Sequence, residues 1–368
     1  MITRRFLFLV LILGFLAVPA RVTARPASRS YYLGFTPFPY DISFDAVNFT
    51  YDKIATDADL ISHAFDNGVP WPEALSGKEF HANVMGDWNL RKTKTPTDHK
   101  VYVQITPINL MRNALAPYRA EKDDLPLPVP WDSYAFNAPE VKQSYLNYCR
   151  RVIAYFDPDF LAIGIEVNLL MQNRPDLWPS YVELHRYVYG ELKKEYPTLP
   201  IMVTFQVTAM LEGYQPEYDH QRQMQALRDL IDYTDIFAMS VYPYFSVYTT
   251  QRLPTDIFDQ LAALTDKPLA VSETGYPAQP FTLTQPPVTF ETDETKQNRY
   301  ISLLLAKANE YNFKFIINFV LRDYDRIWEL TGKSDFVAVW RDTGLYDENG
   351  KPRQALQTWK DALALPVR

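Results

Sequence analysis

The chain has 368 residues, of which 47% are apolar, 15% aromatic and 22% charged; that is enough apolar material for a large core, and it excludes a disordered, collagenous or disulfide-stapled protein. This length suits two or three small domains, or one barrel of about 250 residues or more. The formal net charge of −7 disfavours a polyanionic partner such as nucleic acid or anionic lipid.

Residues 1–24 read as a cleavable signal peptide. Arg4 and Arg5 precede an apolar run from Phe6 to Val18, and Val22-Thr23-Ala24 offers a small-residue cleavage site. That run falls short of the ~20 residues that span a bilayer, and no other approaches that length, so a secreted or periplasmic protein with no membrane span is expected. Cleavage would remove three of the 37 basic residues and none of the 44 acidic ones, leaving a formal charge of 34 − 44 = −10 on residues 25–368. Those residues read as one domain.

From residue 31 onward, short apolar or aromatic runs alternate with helical patterns eight times. The first is YYLGFTPFPYD (31–41) and the second ADLISHAFDNG (58–68), whose end carries His63 and Asp66. The third, HKVYVQITPIN (99–109), carries Gln104 near its end. A Pro-rich loop (124–140) and the helical stretch VKQSYLNYCRRVIAYF come next, the latter holding Cys149 as a buried structural thiol. The fourth run, DFLAIGIEVN (159–168), contains Ile165, Glu166 and Asn168; the fifth, PIMVTFQV (200–207), ends near Gln206. Amphipathic patterns, one with Thr255 as its cap, separate the last three: TDIFAMSVYPY (234–244), KPLAVSETGYP (267–277) and FKFIINFVLRD (313–323).

Continuous apolar strands separated by helices imply a parallel sheet covered on both faces, and eight such units imply a single (β/α)8 barrel, with an open doubly wound sheet as the alternative. Active sites of such barrels lie at the carboxyl ends of the strands. Glu166 and Glu273 stand out there because each interrupts an apolar run, and an ionised carboxylate is costly to bury unpaired. Two carboxyls facing one cleft are what glycosidic bond cleavage requires: one protonates the leaving oxygen, the other attacks or activates water. Only His63 of the five histidines falls at a strand end, and no HExxH, phosphate loop or GxSxG turn is present, so neither a metal nor any other cofactor is expected.

GIEVN, SVYPY and VSETGYP, with Glu at the ends of strands four and seven and Tyr at the end of strand six, resemble the glycoside hydrolases of clan A. The last segment is similar to that of the arabinogalactan endo-β-1,4-galactanases. The resemblance implies an exported, retaining glycosidase acting on a polysaccharide or oligosaccharide, with Glu166 as general acid/base, Glu273 as nucleophile and Tyr242 orienting Glu273. Expected substrate contacts are His63, Asp66, Trp71, Gln104, Asn168, Gln206, Tyr244, Tyr276, Phe319 and Arg322; Phe35, Phe38, Trp88 and Trp131 are further rings in reach of strand ends. The clan's Asn before the acid/base is Ile165 here, its Trp after strand eight is replaced by Phe319, and its Arg near the end of strand two is missing. A barrel that binds carbohydrate without turnover, or one using a single Glu as base, therefore remains an alternative.

Overall fold

A computed structural model describes residues 27–249, 253–285 and 287–368; the signal segment lies outside them. Eight parallel strands form the barrel: β1 Tyr32–Phe35, β2 Leu60–Phe65, β3 Lys100–Ile105, β4 Phe160–Ala162, β5 in two pieces, Ile201–Met202 and Thr204–Gln206, β6 Phe237–Val241, β7 Leu269–Thr274 and β8 Phe315–Asn318. β1 pairs with both β2 and β8. The two pieces of β5 pair with β4 and β6 on either side of Val203, which completes the ring. A helix follows each strand: α1 Phe44–Asp57, α2 Ala82–Lys94, α3 Pro139–Phe156, α4 Trp178–Glu195, α5 His220–Leu230, α6 Ile257–Ala262, α7 Glu294–Glu310 and α8 Gln354–Leu363. This is a single (β/α)8 barrel. Among the described residues no helix is long and apolar enough to cross a membrane.

Strand alternation builds two apolar shells. Leu60, Tyr102, Ala162, Met202, Ala238, Ala270 and Phe315 point inward and plug the barrel's lower half. Leu33, Ile61, Val103, Leu161, Phe205, Met239 and Ile316 point outward to the helices. Helix starts obey capping chemistry: Ser43, Asp219 and Asp293 each accept a backbone N–H of the first turn of α1, α5 and α7. α6 departs from the expected cap, since Asp256 rather than Thr255 holds that position. Cys149 is buried on α3, where loss of solvation raises its thiol pKa, and it has no disulfide partner.

Two irregularities interrupt the sheet at the carboxyl end of the barrel. Between β4 and β5, Ile163 N–H donates to the Met202 carbonyl at 2.8 Å and Val167 N–H to that of Thr204 at 3.0 Å, so four steps on one side face two on the other. Gly164 permits this crowding: a Cβ there would meet Tyr181 Oη and the Val167 Cγ1 at 2.7 Å. In β7, Val271 pairs with Met239 and Glu273 with Ser240, leaving Ser272 as an extra residue, a β-bulge.

Candidate active site

Strict alternation would send Glu273 outward with Val271. The bulge at Ser272 turns it inward instead, where it lines a cavity of about 420 Å³ over the barrel mouth together with Glu166. Glu166 reaches that cavity by a different route, from the irregular turn after β4, with its backbone in the left-handed region at φ +48°. That conformation costs a non-glycine residue about 1–2 kcal/mol. Thr204 Oγ1 offsets part of the cost by accepting the Glu166 N–H at 2.8 Å.

Each carboxylate has its own donors. The Ser240 hydroxyl donates to Glu166 Oε1 at 2.7 Å, and Arg112 Nη2 lies 3.5 Å from Glu166 Oε2. The Tyr242 hydroxyl donates to Glu273 Oε1. Arg112 is itself clamped by Asp66 through two bonds of 3.0 and 2.7 Å, and its side chain is only 6% exposed. Asp66, Arg112 and Glu166 thus form a chain of alternating charge along one wall.

Enclosure in the barrel and the negative charge of Glu166 push the Glu273 carboxyl up to about 8, against the opposing pull of the Tyr242 hydrogen bond and the Arg112 cation. The Tyr242 bond favours the ionised form, but burial outweighs it.

The structure brings together Asp66, Gln104, Glu166, Glu273 and Phe319 around this cavity, with Phe38 at its edge. Gln206, Tyr242 and Tyr244 line an adjoining cavity of about 530 Å³ that shares Glu166 and Trp340 with the first. Gln104 donates to Ser62 Oγ at 3.0 Å, Gln206 accepts the Ala209 N–H at 3.0 Å, and the Tyr244 hydroxyl donates to the Val339 carbonyl at 2.9 Å.

Five expected contacts fall elsewhere. His63 sits between Ser62 and Ala64 on β2, so alternation points it outward; it bonds Thr95 at 2.8 Å, packs on Phe156, and burial lowers its pKa to about 3. Trp71 is core: its indole donates to the Ala116 carbonyl at 2.9 Å and stacks on Trp131. Asn168, fully buried, spends its amide on Gln206 and Gln223, tying the start of the short helix Asn168–Asn173 to β5 and α5. The Tyr276 ring stacks on Tyr300 of α7 at 5.3 Å. Arg322 lies over the Tyr40 ring at 3.5 Å and donates to the Glu348 carbonyl. Phe35 and Trp88 are also fully enclosed core.

Two site residues escaped the sequence. Arg112 comes from the β3 loop, where the segment INLMRN gave only its charge as a signal. Trp340 comes from the long β8 loop and lies edge-on to Tyr242 at 4.5 Å and against Phe319 at 5.3 Å. Ion pairing and close packing pin that loop: Asp323 pairs with Arg353 and accepts the Gly344 N–H at 2.9 Å, and a Cβ at Gly344 would stand 2.6 Å from the Asp323 nitrogen. The cleft therefore has an arginine and a β8-loop tryptophan, though not where sequence order suggests. Ile165 lines the cavity, as an apolar group next to Glu166.

Neither a protein-family model nor a curated protein sequence matches the chain. Solved structures do, at the level of fold. A GH5_18 glycoside hydrolase from Streptomyces cattleya, bound to GlcNAc, has a TM-score of 0.64 at 14% identity over 93% of this chain and 83% of its own. The GH53 catalytic domain of Ignisphaera aggregans gives 0.58 at 15% identity, covering 93% of this chain and 98% of its own. An exo-β-1,4-mannosidase from an Opitutaceae bacterium gives 0.59 at 14% identity, covering 92% and 60%.

Proposed function

We propose that the chain is an exported glycoside hydrolase that cleaves O-glycosidic bonds with retention of configuration. The observation that carries this is the meeting of Glu166 and Glu273 in one cavity, each turned inward by a break in strand regularity and each held by its own hydroxyl donor. The fold shared with GH5 and GH53 structures supports it.

The chemistry needs one proton shared by two carboxyls, so that one can act as acid while the other attacks. Burial and Glu166's charge favour a proton on Glu273. In this reading substrate binding moves that proton to Glu166, which passes it to the leaving oxygen as general acid. Glu273, freed of its proton and fixed by Tyr242, attacks the anomeric carbon; the resulting glycosyl-enzyme is hydrolysed by water that Glu166 activates as base. Arg112 offsets the negative charge that accumulates along the Asp66 to Glu166 wall.

A second reading, a carbohydrate-binding barrel without turnover, draws on Ile165, which offers no hydrogen bond to a sugar hydroxyl where it lines the cavity, and on Asn168, which is locked away from it.

A panel of aryl glycosides and polysaccharides tests both. Cleavage that is lost in Glu273→Ala, and that in Glu166→Ala survives on activated aryl glycosides and speeds up with azide, supports the glycosidase. Binding of glycans by calorimetry with no cleavage of any member supports the binding barrel. N-terminal sequencing of the protein recovered from its host tests export, with a start near Arg25 expected.

A further inference from the structure

The cavity over the two glutamates continues past its β8 side. Tyr324 and Ile327 line it, and they also line a neighbouring groove of about 460 Å³ whose other walls include Ile42, Phe44 and Val47 from the β1 loop and α1. The groove's lining is mostly apolar, and two of its polar side chains, Ser43 and Asp41, have local partners. Ser43 Oγ accepts the Ala46 N–H at 3.2 Å, and Asp41 Oδ1 accepts the Ile42 N–H at 2.8 Å and faces Arg326 at 3.7 Å. A sugar ring buried there would meet few partners for its hydroxyls, each unmet one at a cost. The groove suits carbon better than a sugar.

The same face is unusually apolar where it meets solvent. Ile42 and Phe44 are 82% and 80% exposed, and Leu110, Met111, Leu330 and Phe336 are 51%, 66%, 45% and 60% exposed. These six come from the β1, β3 and β8 loops and the first residue of α1, all at the carboxyl end of the barrel, and Leu110 and Phe336 also line the cavity holding the glutamates. Singly scattered apolar residues need no explanation, but a run of them leading out of a cleft does.

We propose that the substrate is amphiphilic, a glycoconjugate whose alkyl, acyl or aryl group lies in the groove of Ile42, Phe44, Val47, Tyr324 and Ile327 while its sugar lies over Glu166 and Glu273. This rests on the glycosidase reading and deepens it by naming the apolar part of the substrate. Such an arrangement gains affinity from the hydrophobic effect where the lining is mostly apolar, and leaves sugar selection to the polar cavity.

The test compares methyl, butyl and octyl β-glycosides of glucose, galactose and mannose, all below their micelle concentrations. Binding is measured by calorimetry on the Glu166→Gln protein and cleavage on the wild type. Affinity is expected to rise about two- to fourfold per methylene until the groove is filled. The double variant Ile42→Ser, Phe44→Ser alters two solvent-exposed positions; it should flatten that series while leaving the rate on the methyl glycoside unchanged. Affinity independent of chain length, or a chain-length effect that survives the double variant, overturns the proposal. So does binding to sugar-free phosphatidylcholine vesicles as tight as to octyl glycoside, which would make the patch a membrane contact. Cleavage with a flat series removes the groove alone, whereas a steep series with no cleavage of any glycoside counts against the glycosidase.

Discussion

Arg112→Met removes the cation that joins Asp66 to Glu166 while keeping most of its volume. At 3.5 Å from Glu166, and with an effective dielectric of about 20, the lost attraction is roughly 5 kcal/mol before compensation by water entering from the cleft. Asp66 would also be left partly buried and unpaired, and stripping one partner from a buried pair costs about 3–5 kcal/mol of stability. Since Arg112 helps hold the Glu273 carboxyl down from its raised value, the alkaline-side titration of Glu273 should move further up. Two assays read this: the pH dependence of kcat/KM on an activated aryl glycoside, and carbon NMR titration of labelled glutamate, which needs no activity. A rate loss of about 10²–10³ is expected. Combining Arg112→Met with Asp66→Asn should recover part of the stability, because no unpaired charge remains, but not the titration shift. If Arg112→Met leaves the Glu273 titration in place and the rate within threefold of wild type, Arg112 is only a structural clamp and the electrostatic argument fails.

Glu273→Gln should stabilise the fold most at neutral to alkaline pH. A carboxyl whose folded pKa lies above its unfolded value binds its proton more tightly when folded, so wild-type stability falls as pH rises from about 4.5 to 8; urea titrations at pH 5 and 8 should show the variant gaining about 1–3 kcal/mol between them. Glu166→Gly removes both the left-handed strain at φ +48° and a charge beside Glu273; a Tm increase is expected, with turnover lost on unactivated glycosides and kept on activated aryl ones, and a Tm decrease would contradict the strain argument. Trp340→Ala should lower kcat/KM about 10–100-fold while Trp340→Phe retains most of it, because a phenyl ring keeps an aromatic face against Tyr242 and Phe319. His63 and His185 are buried and neutral, with pKa values lowered to about 3 and about 4. The unfolded chain takes up their protons first, so stability should fall as pH drops below about 6.5, and calorimetric scans of His63→Gln should show a shallower fall.

The barrel is legible because its signal is long-range and redundant. Strands covered on both faces read as continuous apolar runs, and eight of them in alternation with amphipathic helices leave few other architectures. The two glutamates are legible for a related reason: a carboxylate inside an apolar run has no cheap structural explanation. Single polar residues at strand ends carry less. His63 and Asp66 stand three apart, and their opposite fates come from alternation along β2. Trp71 and Asn168 lie just past strand ends in sequence but are drawn into packing by partners, Trp131 and Gln223, that nothing local announces. Arg112 and Trp340 are illegible because loops place them, and loop paths depend on anchors such as the Asp323 and Arg353 pair far along the chain.

The same alternation that explains His63 would have excluded Glu273, and this ties the fold to its chemistry. With Ala270 inward and Val271 outward, a regular β7 would send Glu273 toward the helices and bring only Ser272 to the barrel interior. The inserted step at Ser272 restores the glutamate to the inside, and the crowded turn at Gly164 does so for Glu166 at a left-handed residue. Both irregularities weaken the sheet locally: one leaves a residue unpaired, the other holds an L-residue in a conformation it disfavours. Neither improves the packing of the barrel, yet both point a carboxylate into the same cavity. Two separate costs converging on one cavity are better explained by work done at that cavity than by folding, since a sequence under pressure for stability alone has glycine at position 166 and no insertion at 272 open to it.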